Sequence, residues 1–147
     1  MNIQTAYHGS ITVNDEELLS FIKGIPGFHD ENEFALLPLE GNEWFQVLQS
    51  TSTPDLAFIT TNPFLFFPEY DFELDGASLD QLGNPTTEDI QVLSILTVKD
   101  PFKESTANLQ APIIINTANK SGKQVILTNT NYRTQHQILA QPAGKKG

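Results

Sequence analysis

Three consecutive isoleucines, Ile113, Ile114 and Ile115, constrain this chain more than any other feature. Successive side chains of a strand point to opposite faces, so such a run leaves neither face for water. The sequence around it has the same character. From Ser94 to Leu127, apolar runs rich in β-branched residues are separated by loops of charge, proline, asparagine and glycine, and no helical period fits them. We read three strands there, over residues 94–98, 111–116 and 124–127, with the middle one at the centre of a barrel or sandwich.

Charge changes sign across this stretch. Residues 1–98 hold 16 Asp and Glu against the single Lys23, whereas residues 99–147 hold 2 against 7 Lys and Arg, and the whole chain carries −10. That balance argues against a phosphate backbone or an anionic membrane as a direct ligand, and it fits either acidity that serves solubility alone or recognition of a basic partner. At 147 residues the chain has single-domain length and buries enough surface to fold without a metal or disulfide. It contains no cysteine, which fits a reducing compartment. The first 20 residues lack the basic start and apolar core of a signal peptide, and no apolar run approaches the roughly 20 residues that span a bilayer, so we expect a cytoplasmic protein.

In chain order, residues 3–13 alternate about a His8-Gly9 turn and read as a hairpin. The apolar run in LLSFIKGIPGF fits either a strand or one helical turn, and Gly24-Ile25-Pro26-Gly27 ends it as a tight turn. Residues 33–39 and 43–50 read as strands joined around Glu40-Gly41-Asn42, and residues 55–61 as a third strand of a meander. In NPFLFFPEY, over residues 62–70, two prolines bracket four large apolar residues, which disfavours a central strand. This segment should run along an edge or over the barrel's end, with most of its aromatics in the core and some at the surface. A helical turn is expected over residues 78–82, and residues 140–147 have the composition of a loose end.

The sequence carries no catalytic pattern: there is no GxSxG, no HExxH, and His8, His29 and His136 are scattered. Ser121-Gly122-Lys123 is not a phosphate loop. Gln124 stands where Ser or Thr is required, Thr117 where the first glycine is required, and a strand rather than a helix follows. The carboxylates lie in acidic runs with nothing to desolvate one of a pair.

GIPGF at residues 24–28, LQS followed by PDLAF at 48–58, TNPFLFF at 61–67, SILTVKDP at 94–101, TANLQAPIIIN at 106–116 and GKQVIL at 122–127 together resemble the flagellar assembly factor family FliW. The resemblance covers nearly the whole chain, apart from residues 75–89 and the tail after Tyr132. It implies a small β-barrel-like domain that is cytoplasmic, non-enzymatic and held between two partners, flagellin and the RNA-binding translational repressor CsrA. Secreted flagellin would release the factor, which would then lift the repressor from its RNA.

The expectation is therefore an all-β, small antiparallel β-barrel-like single domain over residues 1–139 with few short helical turns, followed by the tail. Candidate partner-binding residues are Asn62, Phe64, Phe66, Phe67, Glu69, Tyr70, Asp71 and Glu73, with no catalytic, metal or cofactor site and no direct nucleic acid or membrane contact. The alternative is a small β-barrel module binding a small molecule such as a flavin.

Overall fold

A computed structural model describes residues 1–22, 24–39, 41–128 and 130–138. The expected boundary at 139/140 and the tail with Lys145 and Lys146 lie outside the described residues. The chain forms β1 (Asn2–Gln4), β2 (Ser10–Thr12), β3 (Leu18–Ser20), β4 (Glu33–Leu39), β5 (Asn42–Ser50) and β6 (Ala57–Thr61). After α1 (Gly76–Gln81) come β7 (Ile90–Thr97), β8 (Thr106–Ala107), β9 (Ile113–Asn116), β10 (Ser121–Gln124) and β11 (His136–Gln137). Four short 3-10 turns lie between them.

Seven strands close into a barrel in the order β7-β6-β5-β4-β3-β10-β9, with β9 returning to β7. All neighbours are antiparallel except β3 and β10, which run parallel and meet at one pair, Ser20 with Ser121. One edge of β7 is shared: Ile90 to Leu93 pair with β9, while Leu96 and Thr97 pair with β8 and so carry β11. The β1–β2 hairpin lies on the outer face of β4, where Ile3 and Val13 pack on Ala35 and Leu37.

Strand parity sorts the core into layers. Leu19, Phe34, Leu48, Leu93, Ile113 and Ile115 share one cluster, and with the half-buried Phe58 they come from β3, β4, β5, β6, β7 and β9. A cluster fed by nearly every strand of a closed ring is the barrel interior. The remaining strand, β10, contributes Gly122, beside which the buried ring of Phe21 sits so tightly that a Cβ would lie 2.6 Å from it. Ile114 points the other way, into an outer cluster with Phe45, Leu96, Tyr70, Leu82 and Leu109. All three isoleucines are at most 1% exposed, as their run requires.

Several boundaries differ from the sequence reading. The third central strand is Ser121–Gln124 rather than 124–127, because the turn through Lys120, at φ +60°, starts pairing at once, Ser121 opposite Asn116. Val125 to Leu127 stay extended beyond it, with alternating burial: Val125 and Leu127 pack in the outer cluster, and Ile126 is 56% exposed. Strand β9 begins only after Pro112, which has no N–H to donate. The 94–98 strand starts earlier, at Ile90, and ends before the exposed Val98.

The stretch that fitted either strand or helical turn contains β3, and the turn after it sends the buried Ile25 into the interior cluster. Pro26 and Gly27, at φ +90°, form its corner, and the Phe28 N–H donates to the Ile25 carbonyl at 2.6 Å. Only glycine fits at Gly24, where φ is +66° and a Cβ would lie 2.7 Å from the Phe28 carbonyl oxygen. Glu31 ties this loop to the end of β5, accepting from the hydroxyls of Ser50, Ser52 and Thr53; the Ser50 bond leads in holding its carboxyl below the ordinary range.

Two substitutions test this arrangement. Ile114→Asp places an unpaired charge between two packed layers and should cost about 3 kcal/mol or more, read as loss of a cooperative thermal transition. Gly122→Ala should lower stability by about 1 to 3 kcal/mol through overpacking, and Phe21→Leu in the same chain should recover part of that in denaturant titration.

Candidate functional site

Beyond β6 the chain becomes a strap over the outer cluster. Asn62 opens it by accepting the Phe64 N–H at 2.9 Å on its side-chain oxygen, with Pro63 supplying the fixed φ of the first turn position. Through Tyr70 to Asp75 the strap is extended and alternates. Tyr70, Phe72 and Leu74 turn into the outer cluster, while Asp71, Glu73 and Asp75 are exposed. Asp75 closes it by capping α1, accepting the Ser78 N–H at 2.7 Å. That bond, the Ser78 hydroxyl and the nearby charge of Lys123 hold the Asp75 carboxyl below its ordinary value.

Tyr70 is the strap's anchor. It is buried, and its hydroxyl donates to the Leu109 carbonyl at 2.7 Å. Burial, followed by the neighbouring Tyr132, pushes its phenol far above the ordinary range. Tyr132 crosses it edge-on at 4.7 Å and accepts the Asp71 N–H at 3.0 Å. Phe66 packs between the rings of Trp44, at 5.8 Å, and Phe45, at 6.2 Å, and Phe45 continues to Phe102 at 5.7 Å.

The eight candidate residues thus fall into distinct places. Phe64 is 40% exposed, Phe66 and Phe67 are half-buried, and Tyr70 offers almost no surface. Glu69, Asp71 and Glu73 stand outward as a row of acids, and residues 62–98 contain no Lys or Arg to offset them. Three grooves follow the strap. One of about 710 Å³ lies between Phe66–Tyr70 and Leu109, Tyr132 and His136. A second of about 450 Å³ separates Phe64, Phe72 and Leu74 from Leu79, Ile90 and Val92. A third of about 420 Å³ runs between residues 72–75 on one side and residues 125–128 with Thr130 on the other.

Such grooves, with apolar floors and acidic rims, suit recognition of another chain. Among the described residues no group of three or more His, Cys, Asp or Glu could hold a metal ion. Nor is any described helix long and apolar enough to cross a membrane. Sequence reasoning missed Tyr132, His136, Trp44 and Phe102. Trp44, Tyr132 and His136 reach the strap through long-range contacts, 61 residues in the case of Asp71 and Tyr132, and Phe102 joins them through Phe45. The spacing of Tyr132 and His136 in NYRTQHQ was the one available signal.

His136 provides a test. Its ring lies against Phe67 at 6.0 Å and Tyr132 at 6.2 Å, and its Nε2 accepts the Arg133 N–H at 2.8 Å. Burial first, and then the charge of Arg133, lower its pKa from 6.5. The unfolded chain therefore takes up the proton at higher pH than the folded one. Any stability from neutral His136 is complete above the unfolded value and declines as pH falls below it. The melting-temperature advantage of wild type over His136→Phe should shrink between about pH 7 and pH 5.

The comparisons with known proteins agree with this geometry. A family model described as FliW protein matches residues 2–138. A protein named flagellar assembly factor FliW from Geobacillus kaustophilus is 49% identical over 145 residues, which cover 99% of this chain and 100% of that one. One of the same name from Bacillus subtilis strain 168 is 44% identical over 138 residues, covering 94% of this chain and 96% of its own. A solved structure titled as the crystal structure of the flagellar assembly factor FliW superposes with a TM-score of 0.92 at 48% identity, over 96% of this chain and 99% of that one. Since the match runs from the first hairpin through the barrel to β11, this chain belongs to the FliW family.

Proposed function

We propose that this protein is a cytoplasmic, non-enzymatic flagellar assembly factor that binds flagellin and, when released from it, binds and antagonises the translational repressor CsrA. The supporting observation is the strap: a row of exposed acids beside partly exposed aromatics, on a chain that matches the FliW family along nearly its whole length. A repressor that grips RNA presents a basic surface. Residues 1–98, at −15, attract that surface and repel incoming phosphates once docked beside it, with no need to overlap the RNA site.

Flagellin offers amphipathic segments, which need apolar anchors more than charge. In this reading Phe64, Phe66 and Phe67 meet flagellin, Glu69, Asp71 and Glu73 meet the repressor, and Asn62 and Tyr70 shape the strap between them. The small-molecule alternative gains no support from the barrel interior, which Phe21, Phe34, Leu48 and Ile113 fill.

Charge and apolar variants separate the two partners. Lysine replacements at Glu69, Asp71 and Glu73 should abolish repressor binding first, and wild-type affinity for the repressor should fall steeply towards about 0.5 M salt, where the Debye length is below about 5 Å. Phe64→Ala should weaken flagellin by about 1 to 3 kcal/mol with little salt dependence. Calorimetric titration of each variant, with a melting curve to certify folding, checks this. Well-folded variants that lose both partners in equal proportion would refute the division.

A further inference from the structure

We propose that the groove between residues 72–75 and 125–128 is a slot in which an extended, basic segment of a partner protein lies as an added β-strand. The walls are two stretches of extended chain whose backbones lack partners along the groove. On one side, among the described residues, the N–H and C=O groups of Phe72, Glu73 and Leu74 make no hydrogen bond. On the other, the Val125 and Leu127 N–H groups donate to the Pro112 and Gln110 carbonyls at 2.9 and 2.8 Å. Successive residues of an extended chain direct these groups to opposite edges. Those of Ile126 therefore face away from residues 110–112, and they too are unpaired among the described residues.

Shape and charge then define the occupant. A free strand edge is satisfied by another strand, whose main-chain bonds give affinity and whose alternate side chains give specificity. A strand in the layer of the strap sends every second side chain inward, over Phe72, Leu74, Val125 and Leu127. The others point outward beside Glu73 and Asp75, both lining the groove, with Asp71 next to them. Lys123 lies near Asp75 and is the one described cation known to act on this row. The outward positions of the guest are therefore Lys or Arg and the inward ones apolar, because opposite charges on directly neighbouring strands attract. The inference rests on these two edges and the acids beside them, whichever protein supplies the segment. A failure of this site leaves the flagellin and repressor reading to its own test.

The probe is a fluorescein-labelled Val-Lys-Val-Lys-Val-Lys peptide, with titration followed by anisotropy and amide exchange by NMR. It should bind saturably, protecting the Glu73 and Ile126 amides from exchange, whereas Val-Glu-Val-Glu-Val-Glu should not bind. Methylating alternate backbone nitrogens of the probe retains its charge and should weaken it by about tenfold or more. Ile126→Pro removes the free donor and should do the same. Because that change can disturb folding, Glu73→Lys, at an exposed position, is the second variant and should weaken binding at low salt. The proposal is overturned if the methylated probe binds as tightly as the parent, which would mean charge attraction alone, or if protection falls outside residues 72–75 and 125–128. It is also overturned if deleting residues 141–147 raises affinity tenfold, since the occupant is then the chain's own C-terminus.

Discussion

A barrel wall buried on both sides is the constraint from which the rest of this structure follows. Ile113 and Ile115 fill the interior and Ile114 projects outward, so the wall needs a second layer outside it. Each fully buried isoleucine contributes about 1.5 to 3 kcal/mol, a gain lost if the outer face of β9 met water. The strap, residues 107–111, and Val125, Leu127, Tyr132 and Ile138 supply that cover. They are held to one another as well as to the barrel, through the bond from the Tyr70 hydroxyl to the Leu109 carbonyl and the crossing of Tyr70 with Tyr132.

A cover made of extended chain has consequences for recognition. A helix satisfies its own backbone, but an extended segment outside the sheet does not, and its side chains alternate between core and solvent. The strap therefore places Phe72 and Leu74 on the core and Asp71, Glu73 and Asp75 in water, beside the same grooves. Packing and charge are separable on it because they occupy opposite faces of one short stretch.

Much of the barrel was legible because its signals are local. Apolar runs on either side of Glu40-Gly41-Asn42 mark β4 and β5, the His8-Gly9 turn marks the first hairpin, and the isoleucine run marks β9 as covered on both faces. The seam residues were harder. Strands β8 and β11 have two residues each and no period to detect, and β10 carries glycine and lysine where a strand reader looks for β-branched residues. For the candidate site, bracketing prolines identified the segment, yet which aromatics are exposed depends on Leu109 and Tyr132, 39 residues or more away in the chain. The family resemblance carried partner identities and no geometry.

The parallel junction of β3 with β10 has a mechanical meaning. Every other junction of the ring runs over two or more residue pairs, but this one rests on Ser20 opposite Ser121, supported by the Ser20 N–H donating to the Lys120 carbonyl at 2.8 Å. The barrel is in effect a ribbon fastened by a small clasp, and the absent side chain at Gly122 lets the ring of Phe21 press against the fastened ends. Local opening is cheapest where the fewest bonds must break, which makes this junction the weakest point of the ring, beside the long pairings of the β4–β5–β6 meander. Closure of this fold thus rests on far fewer bonds than the sheet that it closes.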